Sequence, residues 1–260
     1  MGFGWKLPGV STGNTSLPLL VDYRAELLAI ASLVAWHEPR TRVTLVDGSN
    51  RVTRINNLVD STDAEWWKPQ TEGTALTPLV VANALNSQPV IRFADSRLDA
   101  LDYNGTIPTG STAKQTRAIL VNAAVTGVNQ GLLASSTATG RSQLYLNTDG
   151  KAVSAIDGPT TAVSAETVTG GWALVLFEHD AVANTVSVRV NDGTVVSTSS
   201  TADVTNNEMF MGATNANGGS PLDGDVAAVW LFDDAVISNA DVIDLLLAYC
   251  DAKFGLSLAA

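Results

Sequence analysis

Asn-Gly and Asp-Gly dipeptides punctuate this 260-residue chain, and short runs rich in β-branched or alternating apolar residues lie between them. These dipeptides supply the positive φ angles that tight β-hairpins require. They occur at residues 47–48, 104–105, 149–150, 157–158, 192–193, 217–218 and 223–224. Short strands separated by regular turn signals predict an all-β fold of two antiparallel sheets, a sandwich or jelly roll.

The punctuation predicts two hairpins and several further strands. Residues 143–147 face residues 151–156 across one turn, and residues 185–190 face residues 194–198 across another. Other short apolar or alternating runs are typical of core strands. These runs are residues 33–36, 90–93, 118–125, 172–178 and 226–232.

Two helices are expected beside the strands. A short one begins near Asp22, and a longer amphipathic one is predicted over residues 239–253. Ser238 is the expected N-cap of the longer helix, with Asp241 three residues later as in a capping box. Gly255 lies where a helix commonly ends. The apolar stripe of this helix must be buried against the strands. The stripe consists of Ile243, Leu246, Leu247, Cys250 and Phe254.

The first 21 residues differ from the rest of the chain. Residues 1–21 are rich in Gly, Pro, Ser and Thr and lack periodicity, so they are expected to form an extended N-terminal arm. Phe3, Trp5 and Leu7 are unusual in a free tail and predict that the arm docks on a neighbouring chain or on its own domain. Residues 22–260 are expected to form a single domain. No stretch resembles a signal peptide or a membrane span, so we expect neither export by such a signal nor membrane insertion.

The charge balance argues against some partners. The formal net charge is −11, and an acidic field of this kind repels phosphate backbones. The densest basic group is diluted by nearby carboxylates, so no nucleic-acid partner is expected. This group consists of Arg40, Arg42, Arg51 and Arg54.

No residue pattern predicts catalysis, and we expect the chain not to be an enzyme. A nucleophilic triad needs a histidine near Ser or Cys. His37 and His179 are isolated in sequence, and both are expected at the surface or at a strand edge. The carboxylate spacing of jelly-roll glucanases is absent, and the nearest pair, Glu178 and Asp180, is expected in a solvated turn. The single cysteine, Cys250, excludes an intrachain disulfide and is expected in the core.

Sugar binding is suggested at two places in the chain. Trp66 and Trp67 are adjacent, so on an extended strand their rings point to opposite sides and at most one of them belongs to the core. The other ring is a candidate glycan platform, with packing under a loop or against a subunit as the alternative. Asn215 and Asn217 lie in a polar, Gly-rich loop and are candidate hydrogen-bonding groups for the same ligand.

Calcium is the one cofactor that the sequence leaves open. Asp223 and Asp225 are the candidate ligands, and Asp233 and Asp234 follow close in sequence. The Asp-x-Asp-x-Asp-Gly loop typical of calcium sites is absent. Solvated turn carboxylates are therefore the alternative interpretation, in which the chain has no cofactor.

Three segments resemble the laminin G-like, or concanavalin A-like, jelly roll of phage and bacterial surface proteins. They are residues 33–36 followed by residues 52–58, residues 78–93, and residues 224–256 with their Phe-Gly-Leu ending. In the second segment the family has an Asn-Gly turn before an apolar strand ending in Phe, and Ser87 takes the place of that Gly. In the first segment Asn57 stands where relatives have Asp in a Trp-Asp-Leu-Ser-Gly stretch, so the loop-holding role of that Asp is not carried over.

The resemblance implies a two-sheet antiparallel jelly-roll sandwich with a C-terminal amphipathic helix and an extended N-terminal arm. The fold hosts lectins, glycosidases and structural modules, so it does not fix function. Together with the arm and the polar surface, the chain resembles a bacteriophage virion protein: a capsid decoration protein, head fibre or small tail-fibre component made in the host cytoplasm and placed on the virion surface. Its expected partners are capsid or tail proteins and its own copies, in a homo-oligomer such as a trimer. The alternative is a lectin-like module that binds surface glycans.

Overall fold

Seventeen β-strands and two α-helices form within the described part of the chain. The computed structural model describes residues 22–40, 44–59, 65–69, 76–124, 127–135, 140–157, 160–205 and 208–258. The predicted arm over residues 1–21, with Phe3, Trp5 and Leu7, lies outside the described residues. The helices are α1 (Tyr23–Leu28) and α2 (Ala240–Phe254). The strands are β1 (Leu33–His37), β2 (Thr44–Val46), β3 (Val52–Asn56), β4 (Trp66–Pro69), β5 (Leu79–Leu85), β6 (Gln88–Phe93), β7 (Leu101–Tyr103), β8 (Lys114–Ala123), β9 (Gln130–Ala134), β10 (Ser142–Leu146), β11 (Lys151–Ile156), β12 (Thr161–Thr167), β13 (Trp172–Asp180), β14 (Thr185–Val190), β15 (Val196–Ser199), β16 (Phe210–Met211) and β17 (Gly224–Phe232).

The strands form two antiparallel sheets that pack face to face as a jelly-roll sandwich, which confirms the predicted fold class. Sheet A has the order β15-β14-β13-β8-β17-β6-β5, and β1 pairs with the second half of β17. Sheet B has the order β12-β11-β10-β9-β16-β7-β4-β3-β2. Both predicted hairpins are confirmed, because β10 pairs with β11 and β14 pairs with β15.

Sheet A is buried on both of its faces over much of its area. One core cluster fills the space between the sheets, where Val229 and Leu231 of β17 point inward. The other lies between sheet A and the helices, where Trp230 and Phe232 of β17 pack. This double burial explains why β17 is a continuous apolar run rather than an alternating one. The predicted stripe of α2 is buried in this second cluster, Cys250 included.

The ends of α2 differ slightly from the prediction. The helix begins at Ala240, and its N-cap is Asn239 rather than Ser238. Asn239 has an extended backbone and its side chain accepts a hydrogen bond from the backbone N–H of Val242, which is the role of an N-cap residue. Gly255 ends the helix in the left-handed conformation, as predicted.

The turn between β5 and β6 has a backbone conformation that favours glycine at position 87. Asn86 and Ser87 both have positive φ, 45° and 63°, as a two-residue hairpin turn requires. We expect Ser87→Gly to raise the free energy of unfolding by about 0.5–1 kcal/mol, because glycine adopts this conformation without strain. Thermal or urea unfolding would measure the gain. Ser199→Gly, in the exposed end of β15, is the matched control and should destabilise by a similar amount. Equal losses in both variants would contradict the assignment of strain to Ser87.

Several polar groups expected near solvent are in fact buried. His37 and His179 are 2% and 0% exposed, because both continue the inward-facing alternation of their strands. His37 lies edge-on against the rings of Trp67 and Tyr103. Glu178 is also buried rather than solvated, and its carboxylate accepts hydrogen bonds from the Thr116 hydroxyl (3.1 Å) and the Ile237 N–H (2.7 Å). The prediction of surface positions for these three side chains was therefore wrong.

Asn57 holds the loop after β3. The resemblance described above gives this role to an Asp and did not assign it to Asn57. Its side-chain oxygen accepts hydrogen bonds from the N–H groups of Trp36 and Val59, both at 3.0 Å. Its amide nitrogen donates to the carbonyl oxygen of Val34 at 3.1 Å. An amide can bridge two backbone donors and a backbone acceptor, so asparagine serves here without a carboxylate.

A buried carboxylate ties α2 to the segment that follows β1. Glu38 is 1% exposed and accepts hydrogen bonds from Trp36 Nε1 (2.9 Å), the Tyr249 hydroxyl (2.6 Å) and Arg40 Nε (2.5 Å). Lys253 Nζ also donates to it. Both cations in turn donate to the Tyr249 oxygen, Arg40 at 3.0 Å and Lys253 at 2.9 Å. Two cations, a phenol and an indole thus converge on one carboxylate under the end of the helix.

Candidate functional site

A concave site of about 370 Å³ lies on sheet A around the first residues of β17. Its polar side chains come from Arg92 of β6, Asn122 of β8, Asp223 just before β17 and Asp225 within β17. Gly170 also lines it. The site is assembled from β6, β8 and β17, and β17 lies about a hundred residues further along the chain than β8. Sequence reasoning identified only its two aspartates, and for a different chemistry.

The antiparallel register places Arg92, Asp225 and Asn122 in one row with Trp172 of the neighbouring strand β13. We call these four residues the polar row. Asp225 lies directly opposite Arg92 on one side and opposite Asn122 on the other. Asn122 in turn lies opposite Trp172 of β13. Directly opposed residues share one face, with Cβ atoms about 4.5–5.5 Å apart. The adjacent Val226 belongs to the core between the sheets, so the polar row is on the outer face of sheet A.

The electrostatics of the row are set by an ion pair. Nε and Nη2 of Arg92 each donate to one carboxylate oxygen of Asp225 at 2.8 Å, a bidentate arrangement. This hydrogen bonding raises the pKa of Arg92. Asp223 has a raised pKa, caused first by burial and then by the negative charges of Asp95 and Asp225.

The loop that carries Asp223 is fixed by backbone hydrogen bonds. The N–H of Asp223 donates to the side-chain oxygen of Gln130 at 2.8 Å. The carbonyl oxygen of Asp223 accepts from the N–H of Ala124, also at 2.8 Å. The Gln130 amide nitrogen donates back to the Ala124 carbonyl at 2.8 Å. Next to it, a Cβ on Gly224 would lie 2.4 Å from the carbonyl oxygen of Asn122. Only glycine lets β17 approach β8 this closely beside the site.

The two predicted tryptophans point to opposite sides of β4. Trp67 is fully buried between the sheets, so it presents no surface to a ligand. Trp66 is half-buried on the outer face of sheet B. The guanidinium of Arg54 lies 3.5 Å from the centre of its ring and covers one of its faces. This stacking leaves less aromatic surface for a sugar than the sequence implied.

The predicted loop amides lie apart from Trp66. Asn215 is a structural residue, because its side-chain oxygen accepts the N–H groups of Asn217 (2.9 Å) and Gly219 (3.0 Å), and Asn217 is exposed. The loop follows β16, whose last residue pairs with Leu101 at the start of β7. Trp66 precedes Trp67, which pairs with the other end of β7. Trp66 and this loop therefore lie toward opposite ends of β7.

The four aspartates considered as calcium ligands are also separated. Asp223 and Asp225 lie at the start of β17, and Asp233 and Asp234 follow its end, roughly 25 Å along the strand. Both carboxylate oxygens of Asp225 are engaged by Arg92. Within the described ranges, no group of three or more His, Cys, Asp or Glu side chains is arranged to hold a metal ion.

No helix in the described ranges is long and apolar enough to span a bilayer.

Comparison with known proteins finds similarity at the level of structure. No protein-family model and no curated protein sequence matches the chain. A GH54 α-L-arabinofuranosidase, soaked with a cyclic sulfate inhibitor, matches with a TM-score of 0.55 and 10% identity over 81% of this chain and 53% of that one. A Trypanosoma rangeli sialidase matches with a TM-score of 0.51 and 12% identity over 85% of this chain and 34% of that one. The CBM40 of the Ruminococcus gnavus IT-sialidase, bound to α2,6-sialyllactose, matches with a TM-score of 0.43 and 14% identity over 52% of this chain and 83% of that one.

The fold, together with its similarity to the two structures with TM-scores above 0.5, defines the class of the protein as a jelly-roll β-sandwich. The chain spans about half of the arabinofuranosidase and a third of the sialidase, so its fold resembles that of only a part of each enzyme. At 10% and 12% identity this likeness concerns the fold alone.

Proposed function

We propose that this domain is a non-catalytic carbohydrate-binding module whose ligand lies on the polar row. The observation that carries the proposal is the alignment of a guanidinium, a carboxylate and an amide on three adjacent strands within one concave site. Ligand sites are typically concave, with a few convergent polar groups of this kind. This proposal retains the lectin-like alternative of the sequence analysis, but it places the glycan site on the polar row of sheet A instead of at the predicted tryptophans and loop asparagines.

The chemistry of the row suits a sugar. Each hydroxyl of a sugar both donates and accepts a hydrogen bond, and the row offers both kinds of partner side by side. Arg92 has five N–H donors, and Asp225 engages two of its nitrogens, which leaves donors for a ligand. Asn122 offers a donor and an acceptor, and Asp223, which lines the site beside the row, offers acceptors. The half-buried Trp172 at the end of the row supplies apolar surface for the face of a pyranose ring.

The absence of catalysis remains part of the proposal. Asp223 and Asp225 are both acidic groups of the site, and glycosidases use paired carboxylates. Each oxygen of Asp225 accepts a hydrogen bond from Arg92 and the carboxylate shares its charge with the guanidinium, which makes it a poor nucleophile toward a sugar carbon. Release of nitrophenol from a panel of nitrophenyl glycosides would contradict this part of the proposal.

Glycan binding should depend on the polar row and not on Trp66. We expect the wild-type protein to bind a subset of glycans on an array and the double variant Asn122→Ala/Asp225→Asn to bind them at least about tenfold more weakly. The variant loses the Asn122 amide and the carboxylate that orients Arg92, and a hydrogen bond to a charged group contributes about 1.5–3 kcal/mol. Isothermal titration calorimetry with an array hit would measure the change.

Trp66→Ala is the matched control, because it removes an aromatic side chain from the opposite sheet. It should leave the affinity unchanged. Binding that survives in the double variant but is lost in Trp66→Ala would place the site on sheet B and contradict the assignment. Absence of any glycan binding would contradict the proposed function itself.

A virion role is a finer proposal about where this module works. Its support is the resemblance to phage surface proteins and the high share of uncharged polar residues, with only 16% of the chain charged. In this proposal the jelly roll is held on the particle, through the arm residues Phe3, Trp5 and Leu7, as one copy of a homo-oligomer. The polar row would then face outward toward host or environmental glycans.

A further inference from the structure

Three cations converge on a depression of about 300 Å³ beside the two helices. Its lining includes Arg24 of α1, Arg40 after β1, and Tyr249 and Lys253 of α2. Burial lowers the pKa of Lys253, the Glu38 carboxylate raises it, and the positive charges of Arg40 and Arg24 lower it further. The three positive groups are therefore close enough to affect one another, although the whole chain carries a net charge of −11.

The carboxylates near the depression do not balance this charge. Glu38 lies beneath it, 1% exposed, and is shared by Arg40 and Lys253. Asp22 at the rim is exposed and accepts the N–H of Ala25 at 3.2 Å as the N-cap of α1. Three cations and two carboxylates leave one net positive charge at the depression.

The depression also has more donors than acceptors. Arg40 has five N–H donors, and the hydrogen bonds to Glu38 and Tyr249 use two of its nitrogens. Lys253 has three donors, and the same two partners take one each. The Tyr249 hydroxyl directs its proton to Glu38 at 2.6 Å, so it offers no donor but accepts from both cations. A ligand that fits here must supply negative charge and several acceptor atoms.

We propose that this depression binds an oxyanion, a sulfate, phosphate or carboxylate group, between Arg24, Arg40 and Lys253. Arginine matches the planar geometry of such groups with paired donors, and lysine adds a point charge. Glu38 and Tyr249 position the two inner cations, and the exposed Arg24 closes the outer side. None of these residues lines the site of the polar row, so this inference does not rest on the proposed function.

The test is a titration of the full chain with sodium sulfate, sodium phosphate and glucose 6-sulfate, at ionic strength held constant with sodium chloride. Isothermal titration calorimetry and ¹⁵N chemical shifts would report binding and its location. Stability is not used as the readout, because sulfate stabilises proteins in general by exclusion from their surface. We expect saturable binding, with the largest shifts at Arg24, Arg40 and Lys253. Glucose 6-sulfate binding more tightly than sulfate would identify an anionic sugar as the source of the group, and equal affinities would identify the free ion.

Arg24→Gln is the informative variant, because Arg24 is exposed and donates to none of the groups around Glu38 that hold α2 in place. It should bind sulfate about fivefold more weakly, the effect of removing one exposed ionic contact. Lys151→Gln, on β11 of the opposite sheet, removes the same charge and should bind as the wild type does. Lack of saturable binding by any of the three anions, or an equal loss in both variants, would overturn the proposal.

Discussion

Glu38→Ala should lower the free energy of unfolding by about 3–5 kcal/mol, the range seen when one partner of a buried ion pair is removed. The variant leaves Arg40 and Lys253 under the end of α2 without their shared carboxylate. It also leaves the buried N–H of Trp36 and the hydroxyl of Tyr249 without their acceptor. Urea unfolding followed by tryptophan fluorescence would measure the loss.

Asp192→Asn provides the control for this prediction. The Asp192 carboxylate also pairs with an arginine, Arg189 at 2.8 Å, but it is 39% exposed. Exposed pairs contribute about 0–1 kcal/mol, so this variant should unfold almost as the wild type does. Similar small losses in both variants would show that the Glu38 carboxylate does not hold α2 to the sheet. Glu38→Gln keeps the size of the side chain and some hydrogen bonds. Its loss of unfolding free energy should therefore lie between those of Glu38→Ala and Asp192→Asn.

The second large effect is on acid stability, and it comes from His37. Burial lowers the pKa of His37 from 6.5 to about 3 in the folded protein. As the pH falls below 6.5, the unfolded chain binds the proton first, so the contribution of His37 to stability is complete above pH 6.5 and is lost progressively toward pH 3. The two pKa values correspond to roughly 5 kcal/mol at the acid limit.

His37→Phe should remove this part of the acid sensitivity. Phenylalanine can keep the edge-on packing against Trp67 and Tyr103 but cannot bind a proton. The free energy of unfolding, measured in denaturant at several pH values between 7 and 4, should fall less steeply in the variant. His179, whose pKa burial also lowers, and Glu178, whose pKa burial raises, are present in both proteins and cancel in the difference. Parallel profiles for the two proteins would contradict a neutral, buried His37.

Local features of the fold could be predicted from the sequence because they depend on neighbouring residues. The Asn86-Ser87 turn, the hairpins β10–β11 and β14–β15 and the buried stripe of α2 each lie within a few residues of their own signals. The N-cap of α2 was misplaced by one residue, because Ser238 and Asn239 are both good N-caps and the backbone decides between them. The burial of His37 was missed because its partners Trp67 and Tyr103 are distant in sequence.

The candidate site was mostly invisible to sequence reasoning for the same reason. Arg92 and Asn122 have no feature in their own segments that distinguishes them from other polar strand residues. They become a site only when β17 inserts between β6 and β8 and brings Asp225 between them. The aspartates at the start of β17 were singled out as calcium ligands, and that interpretation did not foresee the arginine that engages Asp225.

The position of β17 has a consequence for how the protein is made. This strand is the last in the described chain, yet it lies in the interior of sheet A, hydrogen-bonded to β8, β6 and β1. Sheet A therefore cannot close until residues 224–232 have left the ribosome, and until then β6 and β8 face an open gap. Such distant pairings make folding slow. A nascent chain arrested before Gly224 should therefore remain sensitive to proteases, whereas one released after Phe254 should become resistant.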